Sequence, residues 1–386
     1  MTQALHIVVA IDSFKGSATS MQAATWVAQG IKQVDAEALI TKVPIADGGE
    51  GTVEALTSAL GGKKIAQTVT GPLGDRVQAT FGMLDATTAV IEMAQASGLN
   101  LTSALPDDAL RASTYGVGEL INGALDAGAK TIYLGLGGSA TTDGGVGMAK
   151  ALGVAFETER GTPIACGAQG LAELAKIDVS QLDPRLQQVT IKILSDVTNP
   201  LCGPEGAAAI YGPQKGLTDK QIPIVDGWLA HLGELLQQAT GRKVADLPGA
   251  GAAGGLGAGL LAFTHAQVYR GIEEILRMVH LDDALAQADL VITGEGRMDA
   301  QSLNGKAPIG IAKAAKRYGL PVVALVGARS DDLGPVYQAG IDAVWAIMNH
   351  PQTLAEAIQA VQVNLTTAGE TAVRAFLMTQ TKGDKL

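Results

Sequence analysis

The chain carries 386 residues, which a prior of roughly 100–200 residues per domain reads as room for two domains. Apolar residues make up 47% and charged ones only 17%, which excludes a largely disordered polymer. With 28 Lys and Arg against 38 Asp and Glu the formal charge is −10 and no basic stripe occurs, so a broad nucleic-acid footprint is excluded; an anionic small substrate stays open if local cations and a metal receive it. Cys166 and Cys202 fall in no CxxC spacing and read as small buried residues with no disulfide role. The first apolar run has no cationic leader before it, and no stretch of about 18 apolar residues occurs, so a cytoplasmic protein without membrane contact is expected.

Residues 5–11 read as a buried parallel strand that delivers Asp12 and the turn IDSFKGS, where Lys15 lies beside a glycine. Thr19 then caps a helix in which Met21, Ala24, Val27, Ala28 and Ile31 recur at helical spacing. A second strand over 39–46 leads to Asp47 in DGGEGT and to a helix carrying Val53, Leu56 and Leu60, stopped at Gly61 and Gly62. From Lys64 to Ala94, short alternating runs joined by Pro72 and Gly74 read as hairpins. The run TIYLGL, 131–136, opens the loop GLGGSATTDGG, 135–145; TIKILS delivers Asp196 in SDVTNP; GPQKG sets Lys215 beside a glycine. A second Gly-rich stretch, PGAGAAGGLGAG, fills 248–259. Regular alternation returns after Asp289. Strand LVITG delivers Glu295 in EGRMD, a helix over 307–318 closes at Gly319, and strand PVVALVG and a short helix to Gly340 follow; strand AVWAIM then precedes a long terminal helix.

Both ends alternate strand and helix as a doubly wound α/β sheet does, and the centre does not. Residues 1–66 and 287–386 are therefore expected to join into one Rossmann-like domain, with 67–286 inserted as a second, mixed α/β domain. In open parallel sheets ligands gather outside the carboxyl ends of the strands, where Asp12, Asp47, Asp196 and Glu295 are expected; carboxylates there suit Mg²⁺, a hydroxyl proton, or both. In the first Gly-rich loop, Gly137, Gly138 and Gly144 offer backbone N–H groups and Ser139, Thr141 and Thr142 offer hydroxyls to phosphate oxygens. The GxGxxG at Gly249, Gly251 and Gly254 follows no strand, so it reads as a Gly-lined helix start rather than a dinucleotide fingerprint. No P-loop exists, because Ala300 stands where Gly305-Lys306 would need its first glycine. Glu295, Arg297, Asp299 and Lys306 share one strand-to-helix connection, and the Arg297 guanidinium suits a carboxylate or phosphate. The five histidines show no metal-ligand spacing, and Ser139 stands in no GxSxG elbow.

Taken together, IDSFKGS, PIADGGEGT, GLGGSATTDGG, SDVTNPLCG, GPQKG, PGAGAAGGLG and ITGEGRMDAQSLNGKAP resemble the class I glycerate kinase family, in order and nearly end to end. The resemblance implies ATP-dependent phosphorylation of D-glycerate with Mg²⁺, usually at the 2-hydroxyl to give 2-phosphoglycerate and ADP. It also implies a flavodoxin-like domain with a second α/β domain inserted. Phosphoryl transfer depends on positioning and charge neutralisation. On that footing the loop 137–145, with Gly251, Gly254, Gly255 and Lys215, is expected to hold nucleotide phosphates. Asp196 and Glu295 are expected to bind Mg²⁺ directly or through water. Lys15, Arg297 and Lys306 would neutralise the glycerate carboxylate and γ-phosphate, and Asp47 or Asp12 would accept the hydroxyl proton. A cleft that closes on substrate would exclude water. Rival readings are a glycerate 3-kinase giving 3-phosphoglycerate, an NAD-dependent hydroxy-acid oxidoreductase, and a non-catalytic sensor of sugar acids. The expected partner is the small substrate, with no nucleic acid and no membrane, and a homo-oligomer is compatible.

Overall fold

The computed structural model describes residues 4–303 and 305–380; the remaining residues of the expected domain spans lie outside this description. The chain makes β1 (His6–Ile11), β2 (Leu39–Pro44), β3 (Lys63–Thr70), β4 (Arg76–Met83), β5 (Thr88–Glu92) and β6 (Thr131–Gly135). A small ribbon of β7 (Ala155–Glu157) and β8 (Lys176–Asp178) precedes β9 (Thr190–Leu194) and β10 (Gln267–Tyr269). Then come β11 (Leu290–Met298), β12 (Val322–Arg329) and β13 (Ala343–Ala346).

These elements form two compact units. The first takes the segments up to Asp47, Glu54–Leu60 and from Ile272 onward, and the second takes Gly48–Val53 and Gly61–Gly271. Residues 272–286, expected in the insertion, go with the first unit because Ile272, Leu281 and Leu285 are buried in one apolar cluster with Val8, Ala10, Val43 and Ile45. At the other boundary β3 pairs with β4 along its length, from Lys63 to Thr70, which carries residues before 67 into the second unit.

In the first unit the sheet is parallel throughout, in the order β13-β12-β11-β1-β2. Counted within the unit this is the flavodoxin-like order, in which ligands sit where the strand order reverses, here between β1 and β11. The strands read as continuous apolar runs because both faces are covered. Val8, Ala10, Val291, Val322 and Ala324 point into one cluster, and Ile7, Val9, Ile11, Leu290 and Ile292 into the other. Helices Ser20–Val34 and Val361–Gln380 cover the second face. Thr19 caps the former as expected, in a capping box with Gln22. The buried stripe of that helix keeps the expected Ala24, Val27 and Ile31 but takes Ser20, Ala23 and Gly30 in place of Met21 and Ala28. The reason is close approach: a Cβ added at Gly30 would lie 1.9 Å from the Thr366 carbonyl, and one at Gly369 would lie 2.5 Å from that of Val27. A hydrophobicity pattern ranks Met above Gly, whereas two helix backbones in contact need the reverse.

In the second unit the sheet runs β10-β9-β6-β5-β4-β3. Strands β5, β6, β9 and β10 are parallel, while β3, β4 and β5 form the antiparallel meander that the short alternating runs suggested. Cys166 corrects the sequence reading: it is exposed, and Cys202 is half-buried, both free thiols. No helix among the described residues is long and apolar enough to cross a membrane.

Candidate active site

In the first unit, three acidic residues collect where the strand order reverses. Asp12 follows β1, and its N–H donates to the Gly294 carbonyl of β11 at 3.0 Å. Glu295 is inside β11 rather than past its end, because β12 also runs on and pairs Glu295 with Val326 and Arg297 with Ala328. On the opposite side, the β1 register stops at Val9 with Ile292. Asp47 follows β2 and the short segment Ile45–Ala46. One side chain ties these exits together: the buried Ser20 hydroxyl donates to the Ile11 carbonyl at 2.6 Å and accepts the Ile45 N–H at 2.8 Å. Ser20→Ala should leave a buried N–H unsatisfied and lower unfolding free energy by about 1–3 kcal/mol. Urea denaturation of the purified variant checks this; an unchanged midpoint would remove the tie.

Although part of the Asp12 surface stays open, its carboxyl is enclosed, and burial pushes its pKa up to about 8. The neighbouring Asp47 charge raises it further, the Ser13 N–H at 2.6 Å lowers it, Glu295 raises it and Lys15 lowers it. Burial raises the Glu295 pKa too, against a 2.6 Å hydrogen bond from the Ser302 hydroxyl to Oε1 and the Lys306 ammonium 3.1 Å from Oε2. Lys15 is exposed in a turn closed by reciprocal Phe14–Ala18 hydrogen bonds at 2.9 Å. Arg297 is 74% exposed at its side chain and reaches Asp299 at 3.3 Å.

In the second unit, Glu92, Gly135 and Leu194 stand in register on β5, β6 and β9, so the chain leaves all three strands along one sheet edge. Asp196 is exposed there, and the Leu136 N–H donates to the Leu194 carbonyl at 3.4 Å. The first Gly-rich loop divides into a lip and a root. At the lip, Gly137, Gly138 and Ser139 are partly or fully exposed, and their N–H groups have no acceptor among the described residues. At the root, Thr141, Thr142 and Gly144 are buried, and the Gly144 N–H donates to the Gly254 carbonyl at 3.0 Å. Gly251, Gly254 and Gly255 are buried as well; a Cβ on Gly254 would lie 1.9 Å from the Thr141 carbonyl, and one on Gly255 2.8 Å from the Gly144 Cα. The second Gly-rich stretch thus packs against the root of the first. Gly251 precedes helix Ala252–Phe263 as expected, but Ala253, Gly254 and Gly255 form a left-handed kink inside it, so the expected Gly-lined helix entry is interrupted.

Two residues that sequence reasoning passed over, Asp143 and Glu92, complete this arrangement together with the expected Lys215. Asp143 is fully buried and accepts the Thr114 N–H at 2.8 Å, the Gly145 and Gly147 N–H groups at 3.1 Å, and the Thr114 hydroxyl. Burial raises its pKa and these four donors oppose the rise. Lys215 is buried too, with its ammonium 2.6 Å from the Thr141 carbonyl; burial lowers its pKa to about 7, against the pull of the Asp143 charge. Glu92 is 2% exposed and accepts the Val53 N–H at 2.6 Å, holding the segment 48–53, whose Gly48 carbonyl would meet a Cβ on Gly135 at 2.2 Å. Ser20 is the third omission beside Asp143 and Glu92. Glu92 closes an apolar run as the chosen acids do, and Asp143 precedes two glycines at a helix start, so both carried a readable signal. The predicted metal ligands Asp196 and Glu295 belong to different units, and among the described residues no group of three or more His, Cys, Asp or Glu forms a metal cage.

The chain matches the glycerate kinase family over residues 7–377. It is 49% identical to a glycerate kinase of Halalkalibacterium halodurans over 92% of this chain and 93% of that protein. It is 46% identical to the glycerate 2-kinase of Escherichia coli K12 over 94% of this chain and 95% of that protein. The crystal structure of a Salmonella typhimurium LT2 protein assigned as glycerate kinase 2 superimposes with a TM-score of 0.88 at 45% identity, covering 98% of this chain and all of that one, 100%.

Proposed function

The chain belongs to the glycerate kinase family, and from that membership we infer that it is a phosphotransferase that uses ATP to phosphorylate glycerate. The acceptor is D-glycerate and the product 2-phosphoglycerate, a regiochemistry supported by the name of the Escherichia coli relative. The observation that carries the chemistry is the carboxyl cluster at the reversal point of the first sheet, with Asp12 bound to Gly294 and sensing both Asp47 and Glu295. Once ionised, Asp12 accepts the proton of the attacking hydroxyl, and the Asp47 charge raises its affinity for that proton. Lys306, fixed by Glu295, and the exposed Lys15 and Arg297 supply positive charge for the glycerate carboxylate and the γ-phosphate. In the second unit, the unspent N–H groups of Gly137, Gly138 and Ser139 hold phosphate oxygens. Thr141, Thr142, Gly144, Gly251, Gly254 and Gly255 shape that lip from below.

Magnesium fits the donor chemistry. This ion usually takes one or two carboxylates, several waters and substrate phosphates instead of an all-protein cage. Asp196 is exposed on the edge that carries the lip, where a carboxylate suits the ion; Glu295, in the other unit, has Ser302 on one oxygen and Lys306 on the other. When bound, the ion neutralises charge on the β- and γ-phosphates. EDTA should abolish turnover and added Mg²⁺ restore it, with Asp196→Asn raising the Mg²⁺ concentration needed for half-maximal rate by about tenfold. An unchanged Mg²⁺ requirement in that variant would remove Asp196 as a ligand.

Purified protein with ATP, Mg²⁺ and D-glycerate, analysed by phosphorus NMR, should yield 2-phosphoglycerate. A 3-phosphoglycerate signal would overturn the regiochemistry, and NADH binding without ATP consumption would favour the oxidoreductase reading.

A further inference from the structure

Lys215 closes the short turn Pro213–Lys215, and Gly216 follows at φ +105°, where an added Cβ would lie 2.3 Å from the Ala104 carbonyl. Its backbone is thus fixed, and its side chain is only 2% exposed. The ammonium meets the Thr141 carbonyl at 2.6 Å, and the Asp143 carboxylate two residues on supplies the opposing charge. Between these two anchors Thr142 is fully buried, its hydroxyl without a partner among the described residues. Burying a cation costs several kcal/mol unless other groups compensate it. Here both compensating groups belong to the root of the Gly-rich loop, so the lysine is accommodated only while that root keeps its shape. The lysine in turn removes the freedom of the root to move. Asp143 completes the hold by binding Gly145 and Gly147, where the loop enters helix Val146–Ala151.

We propose that Lys215 is a positioning residue that clamps the loop root through the Thr141 carbonyl and the Asp143 charge, so that the N–H groups of Gly137, Gly138 and Ser139 stay presented to an anion, while Lys215 itself does not touch the nucleotide. The value of the clamp for catalysis rests on the phosphoryl-transfer reading above; the clamp itself does not.

Amide hydrogen exchange of the nucleotide-free protein separates the two. In Lys215→Met, peptides covering 137–149 should exchange about tenfold faster or more, while helix Ser20–Val34 is unchanged. The neutral donor of Lys215→Gln should restore most of the lost protection. The KM for ATP should rise with the loosening in Lys215→Met and recover in Lys215→Gln. Unchanged loop exchange in Lys215→Met, with or without a raised KM, overturns the proposal, a raised KM alone marking a direct nucleotide contact. Should Lys215→Met not fold, Lys215→Gln carries the test: exchange close to wild type with a normal KM supports the clamp, and wild-type exchange with a raised KM overturns it. If the wild-type protein fails to phosphorylate glycerate, the functional reading falls and the exchange data still decide the clamp.

Discussion

Asp12→Asn is expected to lower kcat by about 10²–10⁴-fold, the range typical of a lost general base, with KM values little changed. The substitution keeps the size and shape of the side chain and leaves the Asp12 N–H on Gly294, so the sheet edge that places it persists. Steady-state kinetics with both substrates checks the prediction; a variant retaining more than about a tenth of wild-type kcat would transfer the role to Asp47. A thermodynamic signature accompanies the kinetic one. In the folded, metal-free protein Asp12 holds its proton up to about pH 8, whereas in the unfolded chain its carboxyl titrates near 3.8. Between those values the folded state binds more protons, so the contribution of Asp12 to stability is complete below the lower value, declines as pH rises, and is lost through the upper one. Melting temperature in EDTA should therefore fall from pH 6 to 9 in the wild type and fall less in Asp12→Asn. At pH 9 the Asn variant should be the more stable protein, because it no longer encloses a carboxylate beside Asp47 and Glu295. Equal slopes for the two proteins would contradict the enclosure of Asp12.

Gly254→Ala is expected to destabilise the protein by about 2–5 kcal/mol, combining a left-handed backbone for a non-Gly residue with overpacking of a filled interior. Gly254 sits at φ +68°, and its new Cβ would fall 1.9 Å from the Thr141 carbonyl and 2.7 Å from the Thr142 Cα, both backbone atoms that cannot swing aside. Any relaxation must move the loop root, so ATP binding should weaken along with folding. Gly227→Ala is the matched control. Gly227 is exposed in helix Ile222–Thr240 with no atom within 4 Å of the added methyl, so there the same change should stabilise by about 0.5–1 kcal/mol through helix propensity. Chemical denaturation of both variants reads the opposite signs directly, and a Gly254→Ala protein of wild-type stability would mean that the two Gly-rich stretches are not packed as described.

The difference between those two glycines shows where sequence reading stops. Gly227 lies within a regular helix and Gly254 in a left-handed kink, yet nothing local in the sequence marks one as facing a carbonyl of another segment. For the same reason the family resemblance gives Gly251 and Gly254 a phosphate-binding role, whereas both are buried against the loop root. Glu295 was read as following its strand because LVITG ends the apolar run; β11 continues because β12 offers it a paired edge, a fact external to its own residues. Lys215 is expected from its sequence to reach a phosphate because a lysine among glycines normally reaches solvent. Its burial depends on a carbonyl and a carboxylate contributed from residues about 70 positions earlier in the chain, contacts of the long-range kind that sequence patterns do not carry.

What the sequence determined by itself was everything that depends on neighbours in the chain: the apolar runs of the parallel strands, the Thr19 cap, the meander after residue 63, Asp12 and Asp196 following their strands, and the ordered motifs that identify the family. These follow from side-chain periodicity and local hydrogen bonding, which a few adjacent residues settle. Tertiary structure decided which acids share a desolvated edge, which glycines meet another backbone, and which charges are buried. Those outcomes depend on distance and dielectric between segments remote in sequence, and the local pattern of residues encodes neither.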